Sequence, residues 1–157
     1  MALSTAIAGA ATVLAAVSGV GKVHQYLRRI PDRAVALAQL LATASGPVNA
    51  WLITREATAA DTPDGNAQLF IDRHTVVIEA YYAISADAST ETTFQDLIES
   101  VRTAFRRDMS LGSNPNLVAA PVSVRVVDVE KIGGVVCHHA VLTLPVVEYV
   151  TDTLGGP

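Results

Sequence analysis

Cys137, His138 and His139 are three consecutive residues whose side chains can bind a metal ion or act in nucleophilic chemistry. On a β-strand alternate side chains point to opposite faces, so Cys137 and His139 share one face and His138 takes the other. Zinc needs about four ligands, or three and a water molecule, and no second ligand pair lies at a metal-like spacing. His24 and His74 are isolated in the sequence. We therefore predict a half-buried strand here, with no metal site and no cofactor.

Sequence motifs for catalysis and phosphate binding are also missing. No Ser lies in a Gly-x-Ser-x-Gly elbow, and a cysteine within an apolar strand is usually unreactive. The Gly-Lys pair that ends at Lys22 is shared with phosphate-binding loops, but Val23 follows it where Ser or Thr is required. The sequence therefore predicts no catalytic residue, and we expect that the protein is not an enzyme.

Length and composition favour one domain spanning residues 1–157. Of the 157 residues, 50% are hydrophobic and 17% are charged, which is enough apolar material for a core without disulfides or metal. The lone Cys137 cannot form an internal disulfide. A formal net charge of −4 argues against a nucleic-acid-binding groove, which is normally basic.

The segment Ala2–Val20 is uncharged, but small residues dominate it. It lacks the positively charged opening of a signal peptide and the strongly apolar content of a membrane span. Its larger apolar residues lie on one helical stripe, namely Leu3, Ile7, Leu14 and Val17, with Ala10. We predict an N-terminal helix within residues 1–19 that packs closely on the sheet or on a neighbouring subunit.

Residues 90–107 carry the clearest helical pattern. Apolar side chains recur there at steps of three and four, which places them on one stripe: Phe94, Leu97, Ile98, Val101, Ala104 and Phe105. Glu91 in the first turn and Arg106 and Arg107 in the last turn suit the helix dipole. Such a helix needs a surface that covers its apolar stripe, and we expect the strands on either side of it to provide that surface.

Strand-like patterns occupy much of the remaining chain. They cover Val20–Arg29, Val48–Thr58, Gln68–Ser85, Pro121–Glu130 and Val135–Val150, and Asp32–Thr43 is predicted to be a short helix. The Gly133-Gly134 pair predicts an antiparallel hairpin between the last two strands. Pro145 predicts an edge or a bulge. We expect long loops over 57–68 and 108–121 and a flexible tail over 151–157. The predicted fold class is α+β, with a single mostly antiparallel sheet of about four strands and two to three helices packed on it.

The order of these elements is similar to that of a known family. The N-terminal helix ends in Gly-Val-Gly, followed by Val23-His-x-Tyr-x-Arg28 and later by a Trp51-Leu-Ile-Thr strand. A long strand Arg73-His-x-Val-Val-Ile-x-Ala-Tyr precedes a helix that begins at Thr93-Phe94. The chain closes with Gly134-Val-Val-Cys137-His138-x-Ala-x-Leu-x-Leu-Pro-Val-Val-Glu148. From about Leu3 to Tyr149, this pattern resembles the tail terminator proteins of long-tailed bacteriophages and related tail-like particles.

The resemblance implies a structural virion protein of the tail and neck, assembled in the host cytoplasm. Such subunits form a homo-hexameric ring that caps the tail tube, stops its polymerisation and joins the tail to the head. The implied partners are further copies of the chain, the tail tube protein on one side, the neck or stopper protein on the other, and the tail sheath. DNA passes through the lumen without specific binding, and no membrane is involved.

Partner-binding residues are inferred from the predicted loops and the last strand, because no family motif transfers residue by residue. The long loops suit docking to partners. The candidates are Asp61, Asp64, Asn66, Leu111, Asn114, Asn116, His138 and Glu148. The alternatives are a head–tail stopper or adaptor, a tube subunit, or a small α+β ligand-binding domain or enzyme. The absence of clustered acid, base, nucleophile or metal ligands in the sequence argues against the last of these.

Overall fold

A computed structural model describes residues 2–25, 47–62, 69–86, 89–132 and 134–151. It contains two helices and six strands within those residues. The helices are α1 (Ala2–Ala15) and α2 (Thr90–Arg107). The strands are β1 (Lys22–His24), β2 (Asn49–Asp61), β3 (Leu69–Ala83), β4 (Leu117–Ala119), β5 (Ser123–Ile132) and β6 (Val135–Thr151). None of the helices in this described part is both long and apolar enough to cross a membrane.

The strands form one mixed sheet in the order β1-β2-β3-β6, and β4 and β5 both pair with the outer side of β6. The predicted sheet of about four mostly antiparallel strands is therefore wrong. In the described residues, 51% lie in strands and 26% in helices, and the six-stranded sheet curves into a half-barrel. The helices are a minor layer on a large sheet.

Two short strands account for much of this error. β1 has 3 residues and lies inside the longer strand predicted over Val20–Arg29, whereas β4, also with 3 residues, is too short for a period-two pattern in the sequence. β1 also pairs with β2 in parallel, which requires a long crossover connection, here residues 25–48. β4 lies inside the predicted loop 108–121 and pairs with the end of β6. Such pairings depend on where distant segments meet, which local patterns do not record.

Other boundaries follow the predictions more closely. Both long predicted helices and the antiparallel hairpin of β5 and β6 are confirmed. β2 continues to Asp61 because it pairs with β3 as far as Ile71, so the first part of the predicted loop 57–68 is strand. The helix predicted over Asp32–Thr43 lies outside the described residues, as do most of the predicted loop tip and tail.

The main core lies between one face of the sheet and the two helices. The apolar stripe predicted for α2 is buried, with Phe94, Val101 and Phe105 almost fully inaccessible. The alternate residues Val76, Ile78 and Ala80 of β3 belong to the same cluster. Helix α1 packs on its own chain through small side chains, including Ala6 and Ala10. A smaller cluster lies elsewhere on the sheet and includes Leu52, Tyr81 and Cys137.

Pro145 lies in the centre of the sheet and not at an edge. Although proline has no backbone N–H, no hydrogen bond of the strand ladder is lost at this position. β5 pairs with β6 up to Thr143, and β4 begins opposite Val146. The carbonyl of Pro145 accepts the N–H of Ala120 at 2.8 Å in the gap between these strands. In an antiparallel sheet the N and O of one residue point to the same side, so the proline ring faces this gap.

Gly21 follows α1 at a point where the backbone of β2 comes very close. A Cβ atom at Gly21 would lie 2.0 Å from the carbonyl oxygen of Asn49. The Gly21 N–H donates to Asn49 Oδ1 at 3.1 Å, and Asn49 Nδ2 donates to the Gly19 carbonyl at 2.8 Å. The second glycine of the Gly-Val-Gly segment therefore allows Asn49 to join the helix exit to the sheet.

Candidate functional site

Strand β5 is exposed on both faces, which is unusual for a strand so rich in valine. Every residue from Ser123 to Lys131 is exposed, and only Ile132 at the hairpin end is buried. Among the described strands β5 pairs only with β6, so its other edge carries unpaired backbone N–H and C=O groups. Soluble proteins usually protect such an edge with charges, proline or short length. This edge is therefore open to pairing with another chain.

Four exposed valines lie together on the helix-covered face of the hairpin, and we call them the valine row. Its members are Val124, Val127, Val129 and Val136, which are 36%, 44%, 59% and 45% exposed. Val127 lies opposite Ala140 and Val124 opposite Leu142, and both of those β6 residues belong to the main core. The valine row therefore extends the apolar surface of the core sideways, past the area that α2 covers.

The other face of the same hairpin carries polar groups around His139, beside two exposed valines, Val126 and Val135. His139 Nδ1 lies 2.7 Å from Asp128 Oδ1 and 3.6 Å from Glu130 Oε2, and its ring stacks on Tyr81 with centroids 4.8 Å apart. His139 Nε2 is buried without a hydrogen-bond partner. Cys137 is buried on this face too, as the alternation predicted. The arrangement joins β5 to β6, but within the described ranges it does not bring Cys137 and His139 into a set of three metal-ligating groups.

His138 points to the face opposite Cys137 and His139, as predicted, and on this helix-covered face it contacts α2. Its Nε2 lies 3.0 Å from Thr90 Oγ1, and its ring stacks on Phe94 with centroids 5.6 Å apart. Through these contacts, the His138 side chain holds the first turn of α2 on β6. The imidazole of this predicted partner-binding residue therefore has a clear role within the subunit.

The residues predicted in the 108–116 loop have different environments. Leu111 is only 3% exposed and belongs to the main core, although its φ of 49° is uncommon for leucine. Asn116 is exposed, and its carbonyl accepts the Tyr149 N–H at 2.9 Å. Asn114 is half-buried and accepts the Asn116 N–H through Oδ1 at 3.0 Å. Within this loop, Asn116 is the predicted residue whose side chain is accessible to a partner.

Of the remaining predicted residues, Asp61 and Glu148 lie near one end of the sheet, since Asp61 pairs with Ile71 and Ile71 pairs with Tyr149. Asp61 is exposed at the end of β2, whereas Asp64 and Asn66 lie outside the described residues. Glu148 is 7% exposed and contacts His74 through a 3.0 Å separation of Oε2 and Nε2. Asp61, Asn116 and Glu148 therefore lie at the same end of the sheet, whereas His138 lies towards the other end.

A groove of about 580 Å³ lies between α1 and α2. Its lining includes Val13, Ala16, Val17, Ser100, Thr103 and Arg107. Ser100 Oγ donates to the Asp96 carbonyl at 2.8 Å, so a backbone acceptor already holds this hydroxyl. No hydrogen bond pairs a nucleophile with a base among the groove residues that the structure describes, which gives no geometric support for catalysis there.

One group of metal-ligating side chains is present in the described residues, at the end of the sheet far from the hairpin tip. Asp72, His74 and Glu148 each offer one ligand atom, and these atoms all lie within 4.8 Å of one another. His74 was isolated in the sequence, but the pairing of β3 with β6 places it beside two carboxylates. We refer to these three residues as the acid–histidine cluster.

No protein-family model matches this chain, and no curated protein matches it.

Two features of the fold had only weak signals in the sequence. The Asp-x-His spacing of Asp72 and His74 places both side chains on one strand face, but the register of β6 supplies Glu148. The valines of β5 alternate irregularly because of a bulge between Val124 and Val126, and only the packing of α2 leaves them exposed.

Proposed function

We propose that this chain is a structural subunit of a long-tailed phage tail, a tail terminator that forms a ring. In that role the ring caps the tail tube, stops its polymerisation and joins the tail to the neck. The proposal is supported by the order of sequence elements from about Leu3 to Tyr149, which resembles that family. The observation that carries it in the structure is the valine row on an unpaired sheet edge.

The valine row favours contact with a second copy of the chain. Exposed apolar rows beside an unpaired edge are typical of surfaces that another chain covers. Among the described strands, the sheet ends in β1 on one side and in β4 and β5 on the other, so these two ends are different surfaces. A contact between different surfaces of neighbouring copies is heterologous and closes into a ring when the rotation allows it. The resemblance implies six copies.

The axial partners in this proposal are the tail tube protein on one side and the neck or stopper protein on the other, with the sheath as a further partner. Asn116 and Asp61 are exposed and remain proposed contact residues for these partners. With a net charge of −4, the ring repels DNA more than it retains it, which suits a lumen through which DNA passes.

The second candidate is a tube subunit of such a tail, and the structure offers an observation that favours it. Strands take up 51% of the described residues, and the β5 strand of the β5–β6 hairpin is exposed, as expected for a subunit that pairs by hairpins with the next ring. The two roles differ in one outcome. A terminator stops at a single ring, whereas a tube subunit polymerises into long tubes.

The test is the size and shape of the purified protein's assemblies. Light scattering after size-exclusion chromatography and negative-stain microscopy are expected to show single rings. In the double variant Val127→Glu and Val129→Glu, charged groups replace two valines that are about half-exposed in the subunit and each contribute about 1 kcal/mol when covered, and the contact must also bury two unpaired carboxylates at a larger cost. We expect the association to weaken by more than about 100-fold.

Met109→Glu is the matched control, because Met109 is 48% exposed and lies outside the hairpin. This variant should assemble like the wild type. Long tubes would favour the tube subunit over the terminator. A monomer at high concentration, or a double variant that assembles normally, would contradict the proposal.

A further inference from the structure

The acid–histidine cluster gathers chemistry that the proposed function does not use. Asp72 and Glu148 are paired residues on neighbouring antiparallel strands, and His74 lies two residues along β3 from Asp72. Side chains two apart share a face, so all three groups meet on one side of the sheet. His74 is 4% exposed and Glu148 is 7% exposed. Asp72 is half-buried, which leaves an approach from solvent.

Charge makes this arrangement costly without a cation. Like charges directly opposite each other on neighbouring strands destabilise a sheet, and burial of Glu148 increases that cost. In the described part of the chain, neither Asp72 nor Glu148 forms an ion pair with lysine or arginine; the recorded partner of Glu148 is His74. A divalent ion would balance the two carboxylates.

The histidine is oriented as a metal ligand requires. Thr58 Oγ1 lies 3.0 Å from His74 Nδ1, and Glu148 Oε2 lies 3.0 Å from His74 Nε2. When Nδ1–H donates to the threonine hydroxyl, the lone pair of Nε2 points at the carboxylates. Ligating histidines are commonly held in this way by an oxygen on their other nitrogen. Thr58 pairs directly with His74 across β2 and β3, so the backbone supports this contact.

We propose that Asp72, His74 and Glu148 bind one divalent transition-metal ion of the Zn²⁺ or Mn²⁺ type. Two ligand atoms each about 2.1 Å from one ion are separated by about 3.0 to 3.4 Å, which matches the distance between Nε2 and Oε2. One imidazole and two carboxylates suit these ions better than Ca²⁺, which takes six or more oxygens. Water entering beside Asp72 completes the coordination.

The ion joins β3 to β6 at the end of the sheet that is remote from the valine row. Its role is structural, because it fixes the register of two central strands where both approach segments outside the described residues. The site is independent of ring formation, so its failure would leave the proposed function intact. A failure of the proposed function would likewise leave the metal site intact.

The experiment is calorimetric titration of chelator-treated full-length protein with ZnCl₂, MnCl₂ and MgCl₂. We expect one Zn²⁺ or Mn²⁺ per chain, weaker Mg²⁺ binding, and an increase in Tm with the bound ion. Asp72→Asn should weaken Zn²⁺ binding by about 100-fold or more, and Thr58→Val by about 10-fold. X-ray absorption at the zinc edge should show only nitrogen and oxygen ligands, including one imidazole.

Asp128→Asn is the matched control, since Asp128 also lies beside a histidine but belongs to no group of three ligands. This variant should bind Zn²⁺ like the wild type. Asp72 is half-buried, so its replacement by asparagine preserves the fold, which circular dichroism checks. The proposal is overturned if the wild type takes up neither Zn²⁺ nor Mn²⁺, if Asp72→Asn binds normally, or if Asp128→Asn loses the ion instead.

Discussion

Cys137 has an environment that suppresses the chemistry its residue type offers. The side chain is buried in the smaller apolar cluster. Burial raises the pKa of the Cys137 thiol, and the nearby Glu130 carboxylate raises that pKa further. Both effects disfavour the thiolate, which is the reactive form. The structure thus gives a physical reason for the expectation that this cysteine is part of the core.

We predict that Cys137 reacts slowly with Ellman's reagent in the folded protein. At about pH 8 the rate should be roughly 100-fold lower than in guanidinium, because the raised pKa and burial both limit the thiolate. Because the pKa of this thiol is higher in the folded state than in the unfolded state, the thiol stabilises the fold fully at pH values below its unfolded-state pKa. This stabilisation is lost as the pH rises through the folded-state pKa. Reactivity should therefore increase steeply at alkaline pH.

The control for this measurement is a thiol on the same hairpin in an exposed position. Val129 is 59% exposed, so Val129→Cys combined with Cys137→Ser should react within a few-fold of the unfolded rate. Glu130→Gln should modestly raise the rate at Cys137, because it removes one cause of the raised pKa. A fast reaction at Cys137 in the native wild type would show that the thiol is accessible and ionised.

At the scale of the elements, α1 is held by its small residues. A Cβ atom at Gly9 would lie 2.5 Å from the carbonyl oxygen and 2.9 Å from the Cβ of Leu111. The helix therefore packs directly on the backbone of the 108–116 loop. That loop is itself ordered by Asp108, which accepts hydrogen bonds from Ser110 Oγ and the Gly112 N–H, both at 2.9 Å. The low charge and the small side chains predicted for the N-terminal helix allow this close contact.

Gly9→Ala provides a test in which two effects oppose each other. Alanine favours a helix over glycine by about 1 kcal/mol, but overpacking against the Leu111 backbone costs about 1 to 3 kcal/mol. Because the nearest atoms belong to backbone, we expect the clash to prevail and the free energy of unfolding in urea to fall by about 1 to 2 kcal/mol. A stabilised variant would contradict the packing of α1 on this loop.

Thr12→Ala is the control in the same helix. Thr12 is exposed, and its hydroxyl donates to the Ala8 carbonyl at 3.0 Å. Such a bond to the preceding turn adds little to helix stability. The free energy of unfolding should therefore remain within about 0.5 kcal/mol of the wild type.

At the scale of the whole molecule, curvature brings together strands that are not neighbours. Arg125 of β5 lies 3.3 Å from Glu56 of β2, although β3 and β6 separate those strands in the sheet. Both residues lie at register shifts, between Val124 and Val126 and between Arg55 and Ala57. Bulges increase local twist and bend a strand, so these two positions help the sheet to curl. Both side chains of the pair are about half-exposed, and the pair contributes less than about 1 kcal/mol to the free energy of unfolding.

The proposed ring leads to a prediction about salt. An interface centred on the valine row depends on apolar burial, whereas contacts between exposed charges weaken as ionic strength rises. We therefore expect the mass of the assembly, measured by light scattering, to be unchanged between about 0.05 M and about 1 M NaCl. Dissociation at high salt would indicate that charged contacts hold the copies together. Arg125→Gln would then reproduce the loss at low salt.

Local patterns in the sequence were sufficient for the elements that are long and amphipathic. The stripe of α2, the alternation of β3 and the Gly-Gly hairpin each carry their own signal over many residues, so their positions could be predicted. The alternation of side chains along a strand likewise predicted that Cys137 and His138 lie on opposite faces of the sheet. The candidate contact residues were less predictable, because loop composition does not reveal that Leu111 belongs to the core.

The sequence by itself determined where helices and long strands form, because periodicity and turn residues act within a few positions. Tertiary structure alone decided how strands pair, how far the sheet curls and which apolar face stays uncovered. These depend on contacts between segments as distant as β3 and β6, where register sets every neighbour. The same register places Asp72 and His74 beside Glu148, nearly half a chain length away, and leaves the valines of β5 beyond the reach of α2.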